Sequence, residues 1–288
     1  MSHQESTCPL HQSGCWYFRV LGHVACCAVL LTASGCFEKS YSDRMKTTVD
    51  FYTHKDKLNK NLTPEWVGPG YRLRVPIGFE LIPPPEPKQP DPNQPQAATD
   101  KAEELDDLRQ PDFLGFRFPG LIAAWQKDVG VDTENGVVAK KARIYLLSNV
   151  AMFAVPPDAP DRIEPSKFHE RVTHLLTADV MTPLKEDDWR GEDVPVGNFN
   201  LVQKVRYQAA TLAPERLFEE TKLTFKIYLH AENATQTVLL VVYPTETSSN
   251  EKLSERLTLT LETLRAPADP QQATSPAGGG NTKGGPAL

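Results

Sequence analysis

Apolar and polar positions alternate from Tyr71 to Val75, with Tyr71, Leu73 and Val75 on one side and Arg72 and Arg74 on the other, until Pro76 stops the run. A period of two predicts a half-buried strand. Ile77 to Ile82 predicts a second short strand after a turn at Gly78. Phe113 to Val129 carries Phe116, Phe118, Leu121, Ile122 and Trp125 at mixed spacing around Pro119-Gly120, which predicts two strands about a turn. Residues 137–150, centred on Ala142 to Leu147, predict a more central strand, and Asn135-Gly136 ahead of them is a turn signal. Phe199 to Ala209 alternates around Phe199, Leu201, Val205 and Tyr207, and Lys222 to His230 sets Leu223, Phe225, Ile227 and Leu229 against Thr224, Lys226 and Tyr228. Ala231 to Thr235 reads as a hairpin loop leading into Val238 to Tyr243, which is apolar on both faces and should lie centrally.

Two stretches change period. Ile163-Glu164-Pro165 opens a helix, since proline is tolerated in a first turn, and Phe168, Val172, Leu175, Leu176 and Val180 then share one face. Ser248 with Glu251 three residues on forms a capping box ahead of a stripe of Leu253, Leu257, Leu261 (or Thr260) and Leu264. Proline lacks the donor a sheet requires, so residues 83–96 are expected to be an extended, exposed insertion. The acidic run Asp100 to Arg109 suits a short surface helix. Residues 266–288, with four prolines and the runs Gly278-Gly279-Gly280 and Gly284-Gly285, cannot bury enough apolar surface to order.

These elements predict an α+β fold: a single domain over 71–265 with a mainly antiparallel sheet and two packed helices. The helices are expected on one face of the sheet, leaving the other open as a contact surface. Ahead of the domain, 36–70 reads as a lysine-rich tether with some helix, on which Met45, Val49, Tyr52, Leu58 and Leu62 recur at imperfect helical spacing. Pro64, Gly68, Pro69 and Gly70 close it.

The N-terminus narrows where such a domain would work. Val20 to Thr32 is an apolar run ended by Ala33-Ser34-Gly35-Cys36. Small residues after an apolar core are what a signal peptidase accepts, and a run of this length with His23 inside it is too short for a spanning helix. The arrangement resembles the lipobox of bacterial lipoproteins, although Ala33 stands where that family usually has Leu. The resemblance implies a signal peptide over 1–35, cleavage between Gly35 and Cys36, and acylation of Cys36. All five cysteines, Cys8, Cys15, Cys26, Cys27 and Cys36, lie at or before that position, so the mature chain would hold no internal disulfide and no catalytic thiol.

Charge excludes one class of partner. Removing residues 1–35 takes away one Arg and one Glu, so the net charge stays at −6. With no basic run there is no electrostatic footprint for nucleic acid or for an anionic membrane surface, and attachment would fall to the lipid.

Candidate chemistry is sparse. His169 and His174 are five apart, which turns them about 140° from one another on a helix, so they cannot share a metal as a pair four apart can. Glu186-Asp187-Asp188 lacks the alternating ligands of a calcium loop, and Val67-Gly68-Pro69-Gly70 precedes a strand rather than linking strand to helix as a phosphate-binding turn does. No cofactor and no metal are expected. Trp66, Trp125 and Trp189 are candidates for a partner-binding surface.

The opening Leu73 to Phe79, the helix at Phe168 to Val180 and the closing hairpin and helix from Leu223 to Leu264 together resemble the PsbP-like α/β sandwich, the fold of an extrinsic photosystem subunit, a Ran-binding nuclear import adaptor and several bacterial lipoproteins. Members of that fold mostly bind other proteins. The expectation is therefore a non-enzymatic, lipid-anchored binding or accessory module of the cell envelope, whose partners are the membrane through Cys36 and another envelope protein. The alternative is an envelope hydrolase with a site assembled from distant residues such as His169, His174, His230 and the carboxylates.

Overall fold

The computed structural model describes residues 41–85, 107–133, 136–156, 163–198, 201–218, 220–247 and 252–270. Cys36 and Gly35, the expected signal peptide, most of the proline-rich insertion, the Ser248/Glu251 capping box and residues 271–288 lie outside them. By contacts the chain divides into Met1–Asp56 and Lys57–Leu288. Residues 41–61 are helical (α1), so the expected tether is a regular helix over most of its length. In the first unit its apolar residues Tyr41, Met45, Val49 and Tyr52 are exposed.

The second unit is an α+β fold built on a seven-stranded, wholly antiparallel sheet. Its strands are β3 (Glu80–Ile82), β4 (Leu121–Thr133), β5 (Gly136–Ser148), β6 (Arg190–Asn198), β7 (Leu201–Leu212), β8 (Leu223–Glu232) and β9 (Thr235–Pro244), in the order β3-β4-β5-β9-β8-β7-β6. β9 is the middle strand, as its apolar residues on both faces demand. A separate two-stranded ribbon pairs β1 (Trp66–Val67) with β2 (Arg72–Leu73). Helices α2 (Phe168–Val180) and α3 (Leu253–Thr263) complete the unit.

The expected single covered face is corrected by the structure. Ile144, Leu239, Val241 and Tyr228 join Leu257, Leu261 and Leu264 of α3 in one core. Tyr145, Val238, Leu240, Val242 and Phe225 join Phe168, Val172, Leu176 and Val180 of α2 in another. Adjacent residues of one strand point to opposite faces, so β5, β8 and β9 each feed both cores. An uncovered face would leave one of those rows in water at about 25 cal/mol per Å² of apolar surface.

Three further expectations change. Phe113 to Phe118 is a loop rather than a strand, closed by a pair of bonds in which Phe118 N–H donates to Gln110 Oε1 (2.7 Å) and Gln110 Nε2 donates to Phe118 O (3.3 Å). Its aromatic rings plug the α2-side core, which is why they follow no strand period. Trp66-Val67 does not close a tether but forms β1, with Trp66 packed on the α3-side core, and the folded unit therefore begins ahead of Tyr71. Residues 266–270 pack as well: Thr235 Oγ1 donates to Pro267 O at 3.1 Å. β6 was not foreseen, because Gly191, Glu192, Asp193 and Pro195 carry no strand signal. It is an edge strand, where proline does no harm to a ladder on its open side.

Candidate functional site

The tryptophans do not form a surface. Trp125 is 3% exposed and meets Trp66 edge to face at 5.3 Å between ring centroids. Both belong to the α3-side core, whereas the half-buried Trp189 packs against the α2-side core. Strand parity explains the burial of Trp125, since it alternates with Ala124 on a strand that has a core on each side.

The three histidines are also separated. His174 is exposed on α2. His169, one residue from buried Phe168, sets Nε2 3.0 Å from Thr237 O, and burial pushes its imidazole pKa down to about 4. His230 turns to the other side of the sheet, its ring 5.1 Å from that of Tyr207 in the α3-side core and its Nδ1 3.3 Å from Arg206 O. His169 and His230 thus meet at the β8–β9 backbone from opposite faces. Among the described residues no group of three or more His, Cys, Asp or Glu could hold a metal ion, and no helix is long and apolar enough to cross a membrane.

Among the described residues a concave site with convergent polar groups lies elsewhere, around Arg143. Three residues on one face of β5, Lys141, Arg143 and Tyr145, run from the exposed end of the strand into the α2-side core. Arg143 pairs with Val242 of β9, and Phe225 of β8 pairs with Val242 in turn, so an arginine heads a row of buried apolar side chains. On one side of it is a cavity of ≈ 250 Å³ walled by Phe113, Phe218, Leu223, Val242 and Pro244, with Lys140, Lys141 and Asp128 at the rim. Phe113 and Phe218 meet edge to face at 6.0 Å. A second cavity of ≈ 390 Å³, bounded by Ile82, Asp107, Asp112, Leu114, Arg117 and Tyr145 among others, lies on the other side.

Asp112 closes the arginine off. Arg143 Nη1 donates to Asp112 Oδ1 at 2.7 Å and Nη2 to Oδ2 at 3.4 Å, and the guanidinium sits 4.9 Å over the Phe113 ring. The side chain of Arg143 is 16% exposed and that of Asp112 66%. Burial opposes the charge of Arg143, but Tyr145 and Asp112 outweigh it and raise its pKa. Burial likewise disfavours ionised Asp112, and the Arg143 hydrogen bond and charge outweigh that and hold the carboxyl below its ordinary range. The buried Tyr145 hydroxyl lies beside Arg143 without a well-aligned hydrogen bond, and burial pushes its pKa up. A second cation over an aromatic ring, Arg216 on Phe218 at 4.2 Å, is tied to α2 by Arg216 Nη2 donating to Asp179 Oδ2 at 3.0 Å.

Sequence patterning missed this site. Its parts come from β5, the 107–120 loop, the 213–222 segment and β9, and their spacing matches no local motif. The one available signal was Lys141-Ala142-Arg143, two cations on one face of a strand otherwise read as central.

No family model matches this chain, and no curated protein matches its sequence. Among solved structures it is similar to one from Bacteroides thetaiotaomicron VPI-5482, at 9% identity and a TM-score of 0.32, over 70% of this chain and 47% of that one. The chain thus spans about half the length of the Bacteroides protein. It is also similar to the Ran-binding protein Mog1p of Saccharomyces cerevisiae, at 12% identity and a TM-score of 0.32, over 70% of this chain and 93% of that one. The α+β assignment rests on the strand order and the two cores, not on these similarities.

Proposed function

We propose that the protein is an exported, lipid-anchored binding or accessory module of the cell envelope, attached by an acylated Cys36 and acting through its folded domain on another envelope component. The observation that carries this reading is the sequence Ala33-Ser34-Gly35-Cys36 at the end of an apolar run, with no cysteine anywhere after it. An acyl anchor suits a chain with net charge −6, which has no electrostatic means of holding an anionic bilayer. A binding role is supported by the arginine-headed cleft between two cavities, which sets a cation beside apolar walls.

The test is metabolic labelling with a radioactive or alkynyl fatty acid, followed by fractionation. The wild-type chain is expected to carry label and sediment with membranes, and Cys36→Ser to lose the label and either leave the membrane or persist as precursor. An unlabelled wild-type chain overturns the anchor. Purification of the labelled protein from membranes is expected to bring a partner with it. Recovery alone, with a metal-dependent hydrolysis lost in His169→Ala, would favour an enzyme instead.

A further inference from the structure

We infer that the Arg143 cleft is a site for a small amphiphilic carboxylate, whose head group competes with Asp112 for the guanidinium that the two cavities share and whose apolar body fills the cavity beside Phe113 and Phe218. This names a ligand class for the binding role proposed above but stands on the folded domain alone. Loss of the anchor reading leaves it intact, and its own loss leaves the anchor reading intact.

The head-group side rests on Arg143. An arginine whose side chain is 16% exposed needs an anion, because removing the partner of a largely buried charge leaves it uncompensated. The anion it has is held on unequal terms, one contact of 2.7 Å and one of 3.4 Å, from a side chain that is 66% exposed on a surface loop. The loop has supports besides that side chain, whose carboxyl also meets its own backbone N–H. The loop is fixed by the Gln110–Phe118 pair and by Gly115 N–H donating to Asp179 Oδ1 of α2 at 2.9 Å. Asp112 can therefore turn into water while the loop stays, and a ligand carboxylate can make the parallel two-bond contact that arginine forms best. Lys141, two residues along the same face, adds a second cation at the mouth.

The apolar side sets the size. A cavity of ≈ 250 Å³ holds roughly eight water-sized groups at about 30 Å³ each. Its apolar walls are two phenylalanines, a leucine, a valine, an alanine and a proline, which suit an aliphatic or aryl body, while Asp128, Lys140, Lys141, Thr221 and Arg143 line the rest. Such a ligand has two sources: a free medium-chain acid, or the C-terminal residue of a peptide ending in an apolar side chain.

The experiment titrates the full chain with octanoate, with octanol as its neutral counterpart, and with an acetylated tetrapeptide ending in leucine, as free acid and as amide. Binding is followed by calorimetry and by amide shifts in NMR. The expected result is saturable one-to-one binding of octanoate, of the free-acid peptide, or of both, and no binding of octanol or the amide. The acid that binds identifies the source. Arg143→Gln should weaken binding at least tenfold, and Arg143→Lys, which keeps the charge and loses the fork, at least threefold. Asp112→Asn should tighten it severalfold by removing the internal competitor. The inference is overturned if neither acid binds, if octanol binds as well as octanoate, or if Asp112→Asn and Arg143→Lys both leave the affinity unchanged in folded protein.

Discussion

The Tyr71 hydroxyl donates to Ser148 Oγ at 2.6 Å and lies 2.9 Å from Thr237 Oγ1, joining the segment before β3 to the ends of β5 and β9 inside the α3-side core. All three side chains are buried. Tyr71→Phe removes one hydroxyl, leaving Ser148 Oγ with Val150 N–H at 3.2 Å and Thr237 Oγ1 without this partner. Because an unmade buried hydrogen bond carries the desolvation cost of the group left behind, the expected loss is about 1–3 kcal/mol. A urea midpoint unchanged within error would show that water or a rotated Thr237 replaces the bond.

Gly120 ends the 107–120 loop at φ +62°. A Cβ there would run into Ser148 O and come within 3.2 Å of Phe168 Cε2. Its own carbonyl accepts Ser148 N–H at 2.8 Å, so the backbone cannot back away without losing that bond. Gly120→Ala is expected to cost about 3 kcal/mol or more, from left-handed backbone strain plus the clash. Gly136→Ala is the control, since at φ +114° nothing lies within 4 Å of the added carbon and only the backbone strain of about 1–3 kcal/mol applies. Thermal unfolding of the two variants should rank them in that order, and equal losses would mean that the close approach to Ser148 is not what demands glycine.

How much of this was legible in sequence follows from what each residue type encodes. Leu223 to Leu229 declared itself as a strand by its two-residue period, and Val238 to Tyr243 by a short apolar run on both faces that suits a central strand. Phe168, Val172, Leu176 and Val180 did the same for α2 at its own period. Pro195 and Gly197 hid β6, since an edge strand takes its stability from one neighbour and tolerates residues that a central strand rejects. Phe113, Phe116 and Phe118 misled in the other direction: aromatic residues in a loop that plugs a core look like strand residues when their partners are unknown. The Arg143 cleft was not legible, because Asp112 and Arg143 lie 31 residues apart and it is the fold that brings their charges together.

His169 gives the fold a dependence on acid. Its imidazole pKa falls from 6.5 to about 4 on folding, through burial against the β8–β9 backbone. A base whose folded pKa is depressed takes up its proton first in the unfolded chain, so its contribution is complete above pH 6.5 and is lost as the pH falls from there toward 4. The loss by pH 4 is about 2–3 kcal/mol. His169→Gln, which cannot titrate, should show a flatter fall in stability across that window than the wild type. Parallel curves for the two proteins would assign the acid sensitivity to other groups, such as carboxylates paired with Arg143 and Arg109.

Asn149 is the residue on which the entry to α2 turns. It is buried at the end of β5 and uses both amide protons and its carbonyl: Nδ2 donates to Pro165 O at 3.0 Å and to Ala234 O at 2.9 Å, and Oδ1 accepts Gln236 N–H at 2.9 Å. Gln236 continues the chain of bonds, donating from Nε2 to Ser166 O at 2.8 Å and accepting His169 N–H on Oε1 at 2.9 Å. Two side chains thus clamp the first turn of α2 to the β8–β9 hairpin, and α2 has no side-chain cap of its own at that end. Asn149→Ala strands the buried Pro165 carbonyl and removes two part-buried bonds, to Ala234 O and from Gln236 N–H, for an expected loss of about 1–3 kcal/mol. Asn149→Asp is the sharper test: it keeps the acceptor for Gln236 but replaces both donors by an oxygen facing two carbonyl oxygens, so it should cost at least as much as alanine despite being isosteric. Hydrogen exchange at the Gln236 and His169 amides should speed up in both variants ahead of global unfolding. An aspartate variant as stable and as protected as the wild type would mean that the two Nδ2 bonds do not hold the helix entry.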